Sequence, residues 1–174
     1  EMNAGLPIPM HYGTFDLSDE PLHDPPKVFA AEAKKRKIPV EIPYLGEIVK
    51  LKKQCDYVIV LYHGGKEQYR YPSPNLQKTC RKLVEKGADL VVCQHSHCIG
   101  CKEEYLQGTI VYGQGNFLFD DEENEYWQTS LLIRITDNFE VDYIPLKKNK
   151  NTVRLAKDDD AQNILEQFNL RSEE

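Results

Sequence analysis

The chain has 174 residues, 40% apolar and 29% charged, which is ordinary for a globular protein and enough for one domain with a real core. Its formal net charge of −6 argues against a nucleic-acid backbone as partner, because phosphate binding of that kind needs a basic face. No stretch approaches the roughly 20 apolar residues of a membrane helix; the longest apolar run is Tyr57 to Tyr62, and the start carries no signal-peptide pattern.

Residues 1–24 are rich in Gly, Pro and polar residues and read as loop. The chain begins with Glu1 rather than Met, which leaves room for a fragment with a segment or anchor upstream. Asp24-Pro25-Pro26 is a helix-start signal, Asp as N-cap and Pro in the first turn, for a helix over about Lys27 to Lys37. A second helix is expected from Gly46 to Lys53, with Leu45, Ile48, Val49 and Leu51 roughly on one side.

The pattern then sharpens. "DYVIVLYHGG", residues 56–65, is a continuous β-branched and aromatic run ended by Gly-Gly, as expected of a strand buried on both faces. "SPNLQKTCRKLVEKG", residues 73–87, is a helix with both ends marked: Ser73 caps it, Pro74 opens it and Gly87 follows its last turn. Leu76, Cys80, Leu83 and Val84 form its apolar stripe. "ADLVVC", residues 88–93, is another buried strand, so the three elements make a βαβ unit with a parallel crossover. After Cys101, "KEEYLQGT" is short, with room for one helical turn at most. "TIVYGQGNFLFD", residues 109–120, gives a further strand broken by Gly113 and Gly115. Residues 130–146 read as a hairpin turning at Asp137-Asn138, and residues 158–170 as a final helix opened by Asp158 to Asp160. One α/β domain over residues 1–174 is expected.

The five cysteines are an odd count that does not fit a disulfide framework in a domain of this size. Cys98 and Cys101 form one C-x-x-C pair. They leave three readings open: half of a structural zinc site, a redox dithiol, or incidental buried thiols. A zinc site ordinarily takes a second pair a dozen or more residues away, and a reactive dithiol needs a helix N-terminus.

Ligand sites in open α/β sheets lie beyond the carboxyl ends of the strands. The strand over 56–62 ends at His63, the strand over 88–93 runs into His95 and His97, and the third ends in a Gly-rich turn carrying Asn116. Parallel neighbours bring the three imidazoles to one edge, where neutral imidazole suits Zn, Fe, Mn or Ni. Glu67 and Asn116 are the nearby oxygen donors. His11 and His23 read as surface loop residues, the acidic run 120–123 as a solvated loop, and Trp127 and the ten tyrosines as core or rim packing, with the lining of a polymer or sugar groove as the alternative.

At these positions the sequence resembles the poly-γ-glutamate capsule synthesis proteins, the CapA-type family. The resemblance rests on Cys55-Asp56 through His63-Gly64-Gly65-Lys66-Glu67, then Pro72-Ser73-Pro74 and Gly87-Ala88-Asp89. It continues through His95-Ser96-His97 and Tyr112-Gly113-Gln114-Gly115-Asn116-Phe117, so it covers about residues 54–121. That family is similar to the calcineurin-like metallophosphoesterases, which implies an α/β sandwich with a mixed sheet, a βαβ crossover and a C-terminal hairpin. It implies divalent metal ions (Mn, Fe or Zn) in a two-metal site, His63 and His95 holding one ion and His97 the other, with Glu67 and Asn116 at family motif positions as the catalytic candidates. Two metals clamp phosphate oxygens and lower the pKa of the attacking water.

The chain departs from that pattern upstream. Residues 1–54 hold no strand motif bearing the expected aspartates; Asp16, Asp19 and Asp24 lie in loop-like sequence. The chain therefore looks like the C-terminal part of a member, its site completed by an upstream segment or a partner chain. Two functions stay open. One is a phosphoesterase-like hydrolase acting on a phosphate- or amide-containing cell-surface polymer or its precursor. The other is a non-catalytic capsule or exopolysaccharide biosynthesis or export factor with a relict metal site. The cysteines and the lack of an anchor suit the cytoplasm; attachment to a membrane or the cell surface through an upstream segment is the alternative.

Overall fold

A short helix leads into the sheet. In the computed structural model, which describes residues 48–117, 124–136, 138–149 and 152–173 together with positions 31 and 35, α1 spans Ile48–Lys52. Ala31 and Lys35 are helical, but the rest of the helix expected over 27–37 lies outside the described residues, as do 1–24, His11, His23 and the acidic run. Strand β1 (Ile59–His63), α2 (Pro74–Glu85) and β2 (Leu90–Gln94) form the βαβ unit. Ser73 accepts a hydrogen bond from the Leu76 N–H, Pro74 opens α2, and Leu76, Cys80, Leu83 and Val84 are its buried stripe.

Next come β3 (Lys102–Tyr105) and β4 (Gly108–Val111). The first sheet has the order β1-β2-β4-β3, with β1, β2 and β4 parallel and β3 antiparallel to β4. The short segment after Cys101, with room for one helical turn at most, is therefore an edge strand. Its charged composition hides it, because an edge strand carries Lys and Glu at little cost.

A 3₁₀ turn over Glu125–Gln128 precedes β5 (Thr129–Ile135), β6 (Val141–Asn149) and β7 (Thr152–Leu155), an antiparallel second sheet. The hairpin expected over 130–146 is β5 and β6, and β7 extends it. Helix α3 (Asp158–Glu173) closes the chain, three residues longer than its sequence pattern.

Two apolar cores result. One lies between the first sheet and α1 and α2, around Cys80, Val84, Val91 and Ile110. The other lies between the sheets and under α3, around Leu90, Val92, Val111, Leu131 and Phe168. Side chains as fully buried as Leu90 and Phe168 each contribute roughly 1.5–3 kcal/mol by removal from water.

Strand β1 differs from its sequence reading. Val60 and Tyr62 pack on the first core, whereas Ile59 and Leu61 are exposed, Leu61 at 54%. The reason is position: β2 is central and covered on both faces, while β1 is the sheet edge. Its second face borders an apolar cleft of about 220 Å³ between the sheets.

Candidate metal centre

The carboxyl ends of β1 and β2 lie side by side because the strands are in parallel register, His63 opposite Gln94. His63 closes β1, and the following Gly64 N–H donates to the Gln94 carbonyl at 3.2 Å. The loop then folds over the end of β2, where the Gln68 N–H donates to the Ser96 carbonyl at 2.7 Å. That bond sets Glu67 against the His-Ser-His turn.

The turn itself is held in an uncommon backbone shape. His95 has φ 91° and His97 φ 57°, both in the left-handed region that a non-glycine residue ordinarily avoids. Such positions cost of order 1–3 kcal/mol each and persist only where the surroundings impose them. Here the surroundings are the Ser96 hydroxyl, which donates to the Cys98 carbonyl at 3.1 Å, and the Gly-rich turn after β4. A Cβ at Gly113 would fall 2.6 Å from the Ser96 Oγ and 2.7 Å from the Cys98 oxygen, so only glycine admits this approach.

The side chains converge. The ring centroids of His63 and His95 are 4.9 Å apart, and those of His95 and His97 6.0 Å. Ligand atoms of Glu67, His95 and His97 all lie within 4.8 Å of one another, and this is the one such His/Cys/Asp/Glu group among the described residues. Donors held ~2.1 Å from one ion lie roughly 3–4 Å apart, so side-chain rotation of the exposed Glu67 would be needed to seat all three. Two imidazoles and one carboxylate fit Zn, Fe or Mn. Glu67 is exposed and the histidines are half-buried, so the group opens to solvent. His63 stands beside this group rather than in it.

Asn116 lies behind His97, its Oδ1 2.7 Å from His97 Nδ1. Asn116 thus meets the site through a histidine. Trp127 covers the other side of His97, ring centroids 5.4 Å apart. Sequence reasoning assigned Trp127 to packing and passed over Ser96. The flanking histidines were the available signal for Ser96; nothing local marks Trp127, which reaches His97 from the 3₁₀ turn before β5.

The sulfur atoms stand apart from the cluster. Cys80 and Cys93 are buried with their Sγ atoms 3.4 Å apart, a contact that with burial pushes the Cys93 thiol well up. Burial also raises Cys98, and raises Cys101 to about 11. Thiols held protonated are poor ligands and poor nucleophiles. Cys101 leads into a strand, so the pair does not stand at the helix N-terminus that a reactive dithiol requires.

A mixed sheet with histidines gathered at the carboxyl edge of its parallel strands, packed against a second, antiparallel sheet, is the α/β architecture of the metallophosphoesterase-like class. Within that class the chain belongs to the family described as bacterial capsule synthesis protein PGA_cap, whose model matches residues 15–121, well over half of the sequence. It is 39% identical over 69 residues to the capsule biosynthesis protein CapA of Bacillus anthracis, covering 40% of this chain and 17% of that protein. It is 35% identical over 79 residues to the PGA biosynthesis protein CapA of Bacillus subtilis (strain 168), covering 45% of this chain and 20% of that protein. The matched stretch thus spans at most about a fifth of these relatives. No helix among the described residues is long and apolar enough to cross a membrane.

Proposed function

We propose that the chain is the metal-binding portion of a capsule or poly-γ-glutamate biosynthesis protein and carries a phosphoesterase-like hydrolase site. The substrate is a phosphate- or amide-containing cell-surface polymer or its precursor. The observation that carries this is the Glu67–His95–His97 group, whose ligand atoms lie within 4.8 Å of one another. Family membership supports the capsule context.

Glu67, His95 and His97 would hold one divalent ion, with His63 facing His95 as a further donor. An ion there supplies Lewis-acid polarisation of a phosphoryl or carbonyl oxygen and an activated water. The protein's own part is orientation. Asn116 accepts from His97 Nδ1–H, leaving Nε2 as the lone-pair atom, and Trp127 walls the ring on its other side. A second ion would need donors beyond this group, from an upstream segment or a partner chain. Without them the site is the relict of a biosynthesis or export factor.

The test is metal content after dialysis, for the parent chain, His95→Ala and a Cys98→Ser/Cys101→Ser double variant, followed by phosphoesterase assays. Metal bound in the parent and lost only in His95→Ala is the expected result. Zinc lost with the cysteines would replace this reading with a structural zinc site. Metal binding without hydrolysis would favour the relict factor.

A further inference from the structure

Two sulfur atoms touch in this fold, and they are not those of the C-x-x-C pair. Cys80 on α2 and Cys93 on β2 have their Sγ atoms 3.4 Å apart. Both side chains are sealed in the first core, 0% and 1% exposed. The buried stripe of α2 turns Cys80 toward the sheet, and the alternation of β2 turns Cys93 to the same core as Val91. Neither sulfur has another hydrogen-bond partner among the described residues. Cys98 and Cys101, closer in sequence, make no sulfur–sulfur hydrogen bond there.

A disulfide holds its sulfurs about 2.05 Å apart, so these two need to approach by about 1.4 Å. Each cysteine moves its sulfur by turning about one side-chain bond, and the approach is shared between the two. The loop that the bond closes spans 13 positions, enough for a crosslink to restrict the unfolded chain appreciably. Neither thiol is open to solvent, so exchange belongs to the chain before it closes. There a thiol near its ordinary pKa of about 8.5 supplies thiolate. In the fold, contact with Cys80 and burial push the Cys93 thiol well up, and exchange stops.

We propose that Cys80 and Cys93 are a modification site: they form a disulfide between α2 and β2 when the chain folds in the presence of a disulfide donor. One cysteine thiolate attacks the donor's S–S bond, forms a mixed disulfide and releases half of the donor as thiolate. The other cysteine gives its proton to solvent, attacks the mixed disulfide and expels the second half. The cysteines lose two electrons, and the donor is reduced to two thiols. The bond would tie α2 to the strand that ends in His95 and His97, two and four residues past Cys93. It does not depend on the metal-site reading above.

The experiment uses the full natural protein that carries this chain, produced once in a reducing and once in an oxidising compartment. Each sample is denatured in iodoacetamide, which blocks free thiols, and digested with trypsin. Cys80 then falls in the peptide 79–81, and Cys93, Cys98 and Cys101 fall together in 87–102. The oxidised protein should yield these two peptides joined, with the link placed at Cys93 by fragmentation, and the reduced protein should yield them separate and blocked. The thermal midpoint of the oxidised protein should stand roughly 5 °C or more above that of the reduced one, a difference that Cys80→Ala removes. Cys80 and Cys93 both blocked in the oxidised protein would overturn the proposal, as would Cys80 joined to Cys98 or Cys101. A crosslinked protein no more stable than the reduced one would also overturn it, because the fold would then not accommodate the bond.

Discussion

Asn116 Oδ1 lies 2.7 Å from Nδ1 of His97, and Asn116 is only 7% exposed. An amide oxygen there requires the proton on Nδ1, so Nε2 keeps its lone pair for a metal. Partners of this kind are worth roughly 10–100-fold in metal affinity. Asn116→Ala should therefore weaken divalent binding by about that factor, measured by chelator competition. Its effect on folding should be small, on the order of 1 kcal/mol, because the Asn116 Nδ2 is buried without a partner and its removal relieves part of the lost bond. Unchanged metal affinity would sink the positioning role.

Gly113 makes a second, steric prediction. An added methyl meets Ser96 Oγ at 2.6 Å and the Cys98 carbonyl at 2.7 Å, and the carbonyl is backbone that cannot rotate away. Gly113→Ala should destabilise by roughly 1–3 kcal/mol, as overpacked interiors do. Because the displaced atoms belong to the turn that shapes His95 and His97, metal affinity should fall with it. Denaturant midpoints and metal titration together test this; a variant as stable as the parent would show that the turn yields freely.

How much of this was legible in the sequence depends on the range of the interaction. The capped helix over 73–87 and the parallel strands around it are written in local signals, and the pairing of His63 with Gln94 follows from them. The gathering of histidines at that edge was therefore readable. The open face of Ile59 and Leu61 was not, since burial of a strand depends on which neighbours cover it. Strand β3 was hidden because Lys102, Glu103 and Glu104 are tolerated at an edge. Trp127 was invisible for a third reason: its meaning comes from a contact across the fold, with His97.

Asp89 ties the start of the sheet to α1. Its carboxylate accepts from Lys52 Nζ at 2.7 Å and from the Val58 N–H at 2.7 Å. Removing it leaves the Val58 N–H without a partner and the Lys52 ammonium with only the Asp56 carbonyl. Asp89→Ala should cost about 2–3 kcal/mol. Lys52→Ala should cost less, near 1 kcal/mol, because Lys52 is partly exposed and Asp89 keeps the Val58 bond. Urea unfolding of the two variants checks the order; equal effects would contradict it.

Stability should fall at alkaline pH. Burial pushes the Cys101 thiol up to about 11 and the Tyr143 phenol up to about 12. The folded chain holds these protons where the unfolded chain, with ordinary values near 8.5 and 10, releases them. The unfolded state then binds fewer protons, so stability declines as pH rises, from roughly pH 9 toward 12. Unfolding midpoints from pH 7 to 11 should be flat at first and then drop, and Cys101→Val should lose the earliest part of the drop. A flat profile to pH 11 would show that neither group is held as described.

Leu61 and Leu90 look alike in sequence, each inside an unbroken apolar run, yet they occupy opposite environments. Leu90 is fully buried in the central strand, and Leu61 is 54% exposed at the mouth of the cleft between the sheets. Leu90→Ala should cost about 2–5 kcal/mol, transfer and cavity together. Leu61→Ala removes side-chain area that water largely reaches already, so its cost should stay below about 1 kcal/mol. Thermal or denaturant midpoints of the two variants decide the matter. A cost at Leu61 as large as that at Leu90 would mean that the cleft face of β1 is covered in solution.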